Sequence, residues 1–261
     1  MDQSGGSPPS PRKGLWGGLS VFFLGVVLLL LPAVGEAGET ARIFPELSVA
    51  QKTWDYDYPR AVALSDRFLQ QAQLLSGYTC RTRTFYSLNR ILSRDRNRRV
   101  RERPNEDFDL TVSYRPLTAS VRLIHPRKGA TVFYRSVDRV TEVHPFSFLP
   151  LTLSLSPHNG LITSRFGHSI DHSDFQSYDK RVLRPACLTH SCLYLGSGVF
   201  RGHPVEIVNI APDQLEARPV FGRMWLLLDR DTTLPVSVAT VGPDGRFWER
   251  IDYGGCRLLF R

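Results

Sequence analysis

At Gly77 the apolar residues of the chain change period, and that change constrains the fold more than any other feature. Upstream, Ala61, Leu64, Phe68, Ala72 and Leu75 recur at three-to-four spacing behind Pro59. This predicts an amphipathic helix over Pro59–Leu75, with Gly77 just past its end. Downstream the period is two. Tyr78–Leu88 is rich in Thr and aromatics, and Phe108, Leu110, Val112 and Tyr114 alternate with polar partners, as in a half-buried strand. Alternation puts those four on one face, expected to look inward, with Asp107, Asp109, Thr111 and Ser113 toward solvent. The same rule groups Trp225 with Leu227, and Trp248 with Arg250 rather than with Phe247.

Strand patterns continue at short intervals: Ser120–His125, Ala130–Arg135, Val137–His144 and Leu151–Leu155, then Gly198–Ile210, Phe221–Asp229, Pro235–Val241 and Arg246–Tyr253. Pro126–Gly129 and Gly242–Gly245 read as turns between neighbours. One helix interrupts the series. Ser173-x-x-Gln176 resembles a capping box, Phe175, Tyr178 and Val182 share a face, and Arg184-Pro185 marks a stop. The expected class is therefore α+β: a large curved antiparallel sheet, an open half-barrel, with helices against its concave side. A single domain is expected over residues 57–261, behind a lead-in at residues 38–56.

Residues 1–37 read differently. Arg12-Lys13 precede an uncharged run from Leu15 to Val34, interrupted by Pro32 and followed by Gly35 and Ala37. A basic start, an apolar stretch and small residues at its exit are the pattern of an export signal. The run, about 20 residues, also sits at the lower edge of spanning length, so a retained transmembrane anchor is the alternative to cleavage. Either way the body is expected beyond a membrane, in the periplasm or cell envelope, tethered to the inner membrane if the segment stays. The four cysteines agree, because an even count in an exported chain points to disulfide bonds. Three connectivities exist. Proximity pairs Cys187 with Cys192, leaving Cys80 for Cys256. A zinc site using His190 has only three ligands there, one too few for a closed structural site.

The net charge is +8, and Asp2, Glu36, Arg12 and Lys13 cancel in the first 37 residues, so the excess belongs to the body. Seven arginines fall between Arg90 and Arg103. They read as the solvated tip and return limb of a hairpin, with an anionic membrane surface as the partner such a run would meet. Asp95 and Glu102 dilute the run and no RNA-binding aromatic motif accompanies it, which argues against nucleic acid.

No catalytic motif emerges. Gly196-Ser197-Gly198 lacks the first glycine of a nucleophile elbow. Asp107, Asp109, Glu142 and Asp229 are scattered rather than paired. His168, Asp171, His172 and Asp174 form the densest set of metal-ligand types, but a helix cap at Ser173 places the histidines in a loop, where such side chains ordinarily bond backbone. No cofactor and no enzyme activity are expected; a metal-dependent hydrolase on those four residues is the alternative.

Several stretches taken together resemble a known family: YTC at 78–80, YRPLTASVRLIHPRKGATVFY at 114–134, LSLSP at 153–157, GHSID at 167–171 and MWLLLDRDTTLPVSVATVGPDGRFWERIDY at 224–253. Their order is similar to the bacterial exported family called domain of unknown function fifteen-seventy-one. The last stretch also resembles the wider superfamily of periplasmic lipoprotein carriers and outer-membrane lipoprotein-sorting proteins. That resemblance implies an unclosed antiparallel barrel covered by helices, with an interior that accepts acyl chains. The narrower family implies no catalytic residues. The function expected is non-catalytic binding of a hydrophobic or lipid ligand, with Phe108, Leu110, Val112 and Tyr114 facing it. An envelope interaction module with a packed core is the alternative.

Overall fold

A computed structural model of the protein describes residues 39–51, 57–86, 92–94, 100–102, 104–148, 150–164, 168–211 and 222–261. The chain forms two compact units, Met1–Arg42 and Ile43–Arg261. Of the first, only the helical residues 39–42 are described, so the apolar run Leu15–Val34 lies outside the described residues. Among the described residues no helix is long and apolar enough to cross a membrane.

The second unit opens with β1 (Leu47–Gln51) and α1 (Tyr58–Leu74). Asp57 caps α1 by accepting a hydrogen bond from the Arg60 backbone N–H at 2.9 Å, and Pro59 sits in the first turn. The expected apolar stripe is buried: Ala61, Leu64, Phe68 and Ala72 are all at most 4% exposed. The end of α1 departs from expectation. No glycine caps it; Leu75 is already extended and the chain runs directly into β2 (Leu75–Phe85). Gly77 serves the sheet instead. A Cβ there would come 2.5 Å from the carbonyl oxygen of Val112 on the neighbouring strand.

The Arg-rich segment contributes a separate two-stranded hairpin, β3 (Leu92–Arg94) with β4 (Val100–Glu102). The rest of Arg90–Arg103 falls outside the described residues. Then follow β5 (Glu106–Tyr114), β6 (Leu117–His125), β7 (Thr131–Arg135), β8 (Val140–His144) and β9 (Leu153–Leu155). The last strands are β10 (Cys192–Phe200), β11 (His203–Ile210), β12 (Arg223–Asp229), β13 (Pro235–Val241) and β14 (Phe247–Phe260). Twelve of them make one antiparallel sheet in the order β1-β10-β11-β12-β13-β14-β2-β5-β6-β7-β8-β9. Its edges, β1 and β9, do not pair with each other, so the barrel stays open.

Three local readings are corrected. Gly198–Ile210 is not one strand but the meeting of β10 and β11, because Arg201 and Gly202 both take positive φ and make a two-residue hairpin turn. The second helix is capped by Asp174 rather than Ser173, and it continues through Arg184-Pro185. It begins as α2 (Phe175–Tyr178), widens to a π-wound stretch over Asp179–Leu183, and resumes as α3 (Arg184–Leu188). Pro185 has no N–H to give to the preceding turn, and the π-wound stretch just before it is where the continuous helix accommodates the missing bond. Finally, a bulge opposite Thr240 and Val241 makes Trp248 the extra residue of β14. Parity breaks there, so Phe247 joins the cluster of Trp225 and Leu227, on the face that carries Arg250.

Both sheet faces are covered. The concave face packs against α1, α2 and α3 through Phe68, Phe175 and Leu183, with Leu110, Val112, Leu226 and Leu228 beneath them. On the convex face Ile43 and Phe44 lie over Trp225, Leu227, Ile207 and Phe200. Two disulfide bonds tie the unit. Cys80–Cys256 links β2 to its neighbour β14, and Cys187–Cys192 closes the turn between α3 and β10.

Candidate functional site

The concave side is not filled. A cavity of about 470 Å³ lies between the inner face of the sheet and the segment carrying α2. One wall comes from inward residues of β5, β6 and β7, chiefly Phe108, Leu110, Val121, Leu123 and Val132. Val238, Ile251 and Tyr253 of β13 and β14 form another, and Leu161, Ile162, Phe175 and Tyr178 lie across them.

Aromatic rings fix the inner end. Phe175 stacks on Tyr78, centroids 4.3 Å apart and 11° from parallel, and meets Tyr253 edge-on at 5.6 Å. The Tyr178 hydroxyl donates to Met224 Sδ at 2.6 Å. Burial, joined by neighbouring tyrosines and acidic groups, raises the pKa of Tyr78, Tyr178 and Tyr253 above the ordinary phenol value. These walls therefore carry neutral phenols and no reactive oxyanion.

A polar spot interrupts the apolar lining. Glu249, only 1% exposed, stands opposite Thr240 in the sheet, and Thr84 and Thr82 follow along the adjacent strand. Parity explains it: Glu249, Ile251 and Tyr253 share the inner face of β14. His168, half open to solvent, reaches over from the loop before α2 to pair through Nε2 with Glu249 Oε1. Burial works against a charged imidazole there, but the hydrogen bond and charge of Glu249 outweigh it, and the His168 pKa is raised. Among the described residues, Glu249 Oε2 and Thr82 Oγ1 are buried without a hydrogen-bond partner. A buried carboxylate oxygen left so is costly and marks this spot as unfinished.

The residues singled out in the sequence are distributed unevenly. Phe108 and Leu110 line the cavity. Val112 and Tyr114 point the same way but pack into the core around Tyr78, 6.3 Å from the Tyr114 ring. The four metal-ligand types do not converge. Asp174 accepts from the Ser177 N–H at the start of α2, and His172 lies 3.5 Å from Asp171, which also faces His158 at 3.6 Å. Among the described residues no cluster of three or more such groups is placed to hold a metal. His190 stacks on Tyr58 with centroids 4.1 Å apart, beside a disulfide rather than a thiolate pair. Of the scattered carboxylates, Asp107 and Asp109 engage Arg81, Glu142 engages Arg135, and Asp229 Oδ1 holds the turn at Asp231 and Thr232. Glu249 was not foreseen; its one signal is a carboxylate at inward parity in an otherwise apolar strand.

No family model and no curated protein sequence matches the chain. The narrower resemblance therefore rests on its quoted motifs alone. Solved structures do show likeness. Lipoprotein LppX of Mycobacterium tuberculosis is 14% identical with a TM-score of 0.45, over 75% of this chain and 94% of that one. A putative outer-membrane lipoprotein-sorting protein domain of Vibrio parahaemolyticus is 10% identical with a TM-score of 0.41, over 77% and 93%. LprF of Mycobacterium bovis is 11% identical with a TM-score of 0.43, over 76% and 93%.

Proposed function

We propose that the protein is exported and holds a hydrophobic or lipid ligand in its concave cavity, at the cell envelope and without catalysing its conversion. The observation that carries this is the cavity itself: its volume of about 470 Å³ falls within the range of small-molecule sites, and its walls are mostly apolar. The apolar part of the ligand lies along Phe108, Leu110, Val121 and Val132, and its polar end meets His168 and Glu249. A hydrogen-bond donor at that end supplies what Glu249 Oε2 lacks. The Leu15–Val34 run and two disulfides, which persist in oxidising surroundings, support that compartment. Membership in the fifteen-seventy-one family is part of the same proposal.

Native mass spectrometry of the full chain, purified from its own envelope, tests the reading. The expected result is a bound species that organic solvent extracts and that Leu110→Trp, which fills the cavity, excludes. A protein that carries no such species, and takes up no fluorescent fatty acid either, is instead an interaction module with a packed core.

A further inference from the structure

Beside the cavity the surface is apolar in a way the core does not require. The connection between β8 and β9 is pinched at its base, where Thr152 Oγ1 lies 3.2 Å from His144 Nδ1. Between these two, Phe146, Phe148 and Leu151 project at 47%, 76% and 44% exposure. The two phenyl rings keep their centroids 5.6 Å apart. The β6–β7 turn lies against this loop: a Cβ at Gly129 would come 2.7 Å from the Cβ of Ser147. That turn carries Arg127 and Lys128, both exposed. Arg127 also lines the cavity, as does Leu161, itself 77% exposed. Aromatics, leucines and two cations therefore share one end of the fold, at the side of the cavity.

Charge says what the patch meets. Residues 117–135 and 144–167 contain no Asp or Glu, although the chain has 25. Among the described residues, the carboxylates near this end on other elements are Asp171, engaged by His158 and His172, Asp107, opposite His125 and engaged by Arg81, and Glu106, half-buried on the cavity wall. Exposed aromatic and leucine side chains flanked by exposed cations are complementary to an anionic bilayer surface: the rings enter the headgroup–acyl boundary and the cations bind lipid phosphates.

We propose that the rim formed by Phe146, Phe148, Leu151 and Leu161, with Arg127 and Lys128, docks on anionic lipid bilayers, so that the cavity faces the membrane surface. This surface is distinct from the Arg90–Arg103 segment, and it stands whether or not the cavity holds a ligand.

The test must separate docking by this rim from attachment through residues 1–37. The full chain is incorporated in vesicles of phosphatidylcholine with phosphatidylglycerol, some of whose acyl chains are brominated. Phe148→Trp places a reporter on the rim. Val137→Trp, at a site 73% exposed in the turn at the other end of β7 and β8, is the control. Additional quenching over the wild-type signal is expected for Phe148→Trp and not for Val137→Trp. Arg127→Glu with Lys128→Glu should abolish it, since each basic residue near the surface is worth about a fivefold change in membrane affinity. Phosphatidylcholine alone should weaken it. Equal quenching at the two sites, or quenching indifferent to the charge reversal, overturns the proposal. So does a rim that stays unquenched, in which case the patch serves a protein partner. Native-mass readout of bound lipid on Phe148→Trp and on Lys128→Glu alone, whose residues do not line the cavity, is expected to stay unchanged, which separates loss of docking from loss of the cavity.

Discussion

The two faces of the sheet are built from the same strands by alternation, yet they are finished in opposite ways. In β12, Met224, Leu226 and Leu228 turn to the concave side, while Trp225 and Leu227 turn to the convex side. The convex side is sealed. Arg250 and Asp252, 2% and 3% exposed, meet in a two-bonded fork at 3.0 and 3.2 Å. Arg250 also donates to the Ile43 carbonyl at 2.8 Å and lies over the Phe85 ring, and Arg201 bridges Asp252 to Glu46. These four charges answer one another, and the contacts tie residues 43–46 to the sheet. On the concave side the buried carboxylate Glu249 has one oxygen answered by His168 and one left open. The contrast teaches that the convex charges are closed by the chain itself, whereas the concave carboxylate keeps one oxygen without a partner among the described residues.

Three measurements break or sharpen that contrast. The largest effect is expected on the sealed side. Asp252→Ala removes the carboxylate that faces the buried Arg250 guanidinium and should cost about 3–5 kcal/mol in denaturant unfolding. A loss below about 1 kcal/mol would mean that the convex cluster is not closed as described.

The second concerns Asp179, fully buried where α2 gives way to the π-wound stretch. Burial, aided by the charge of Asp66 and opposed by Arg184, pushes its pKa up to about 6. The folded state then holds its proton to higher pH than the unfolded chain. The contribution to stability is full below about pH 4 and is lost as pH rises through about 6. Asp179→Asn should accordingly stabilise the protein at pH 7 by up to about 3 kcal/mol, and by little at pH 4. Equal effects at both pH values would sink the idea.

The smallest effect is expected at the open side. The raised pKa of His168 means that its link to Glu249 stabilises the fold fully below the ordinary imidazole range and loses that contribution as pH rises through the folded value. Half the imidazole is in water, so screening should hold the contribution below about 1 kcal/mol. His168→Gln should flatten that part of the stability profile while leaving the convex side untouched.

Much of the architecture was legible because alternation is a local rule. The face of Leu110 and Val112, the α1 stripe and the pairing of Trp225 with Leu227 all follow from spacing. What escaped was decided at a distance. Gly77 reads as a helix stop until the carbonyl of Val112 is seen against it. Trp248 flips parity because β13 imposes a bulge. The hairpin turn at Arg201-Gly202 lacks the Asn or Asp that usually announces one. The site was less legible than the fold. Phe108 and Leu110 were visible, but His168 and Glu249 are 81 residues apart in sequence, and nothing local joins them.

The seam between β2 and β14 has a consequence in time. Strands β5 to β9 extend the sheet outward from β2, and β10 to β13 return toward it from the far edge, so the two arcs join only where β14 pairs with β2. Until β14 has been synthesised, β2 has an unoccupied edge and Cys80 lacks the thiol it will bond, 176 residues downstream. Each arc can zip by short-range hairpins, whereas the seam must close a loop spanning most of the unit. Until then the chain would wait as two partial sheets, and β2 would be the strand most open to pairing with the wrong neighbour.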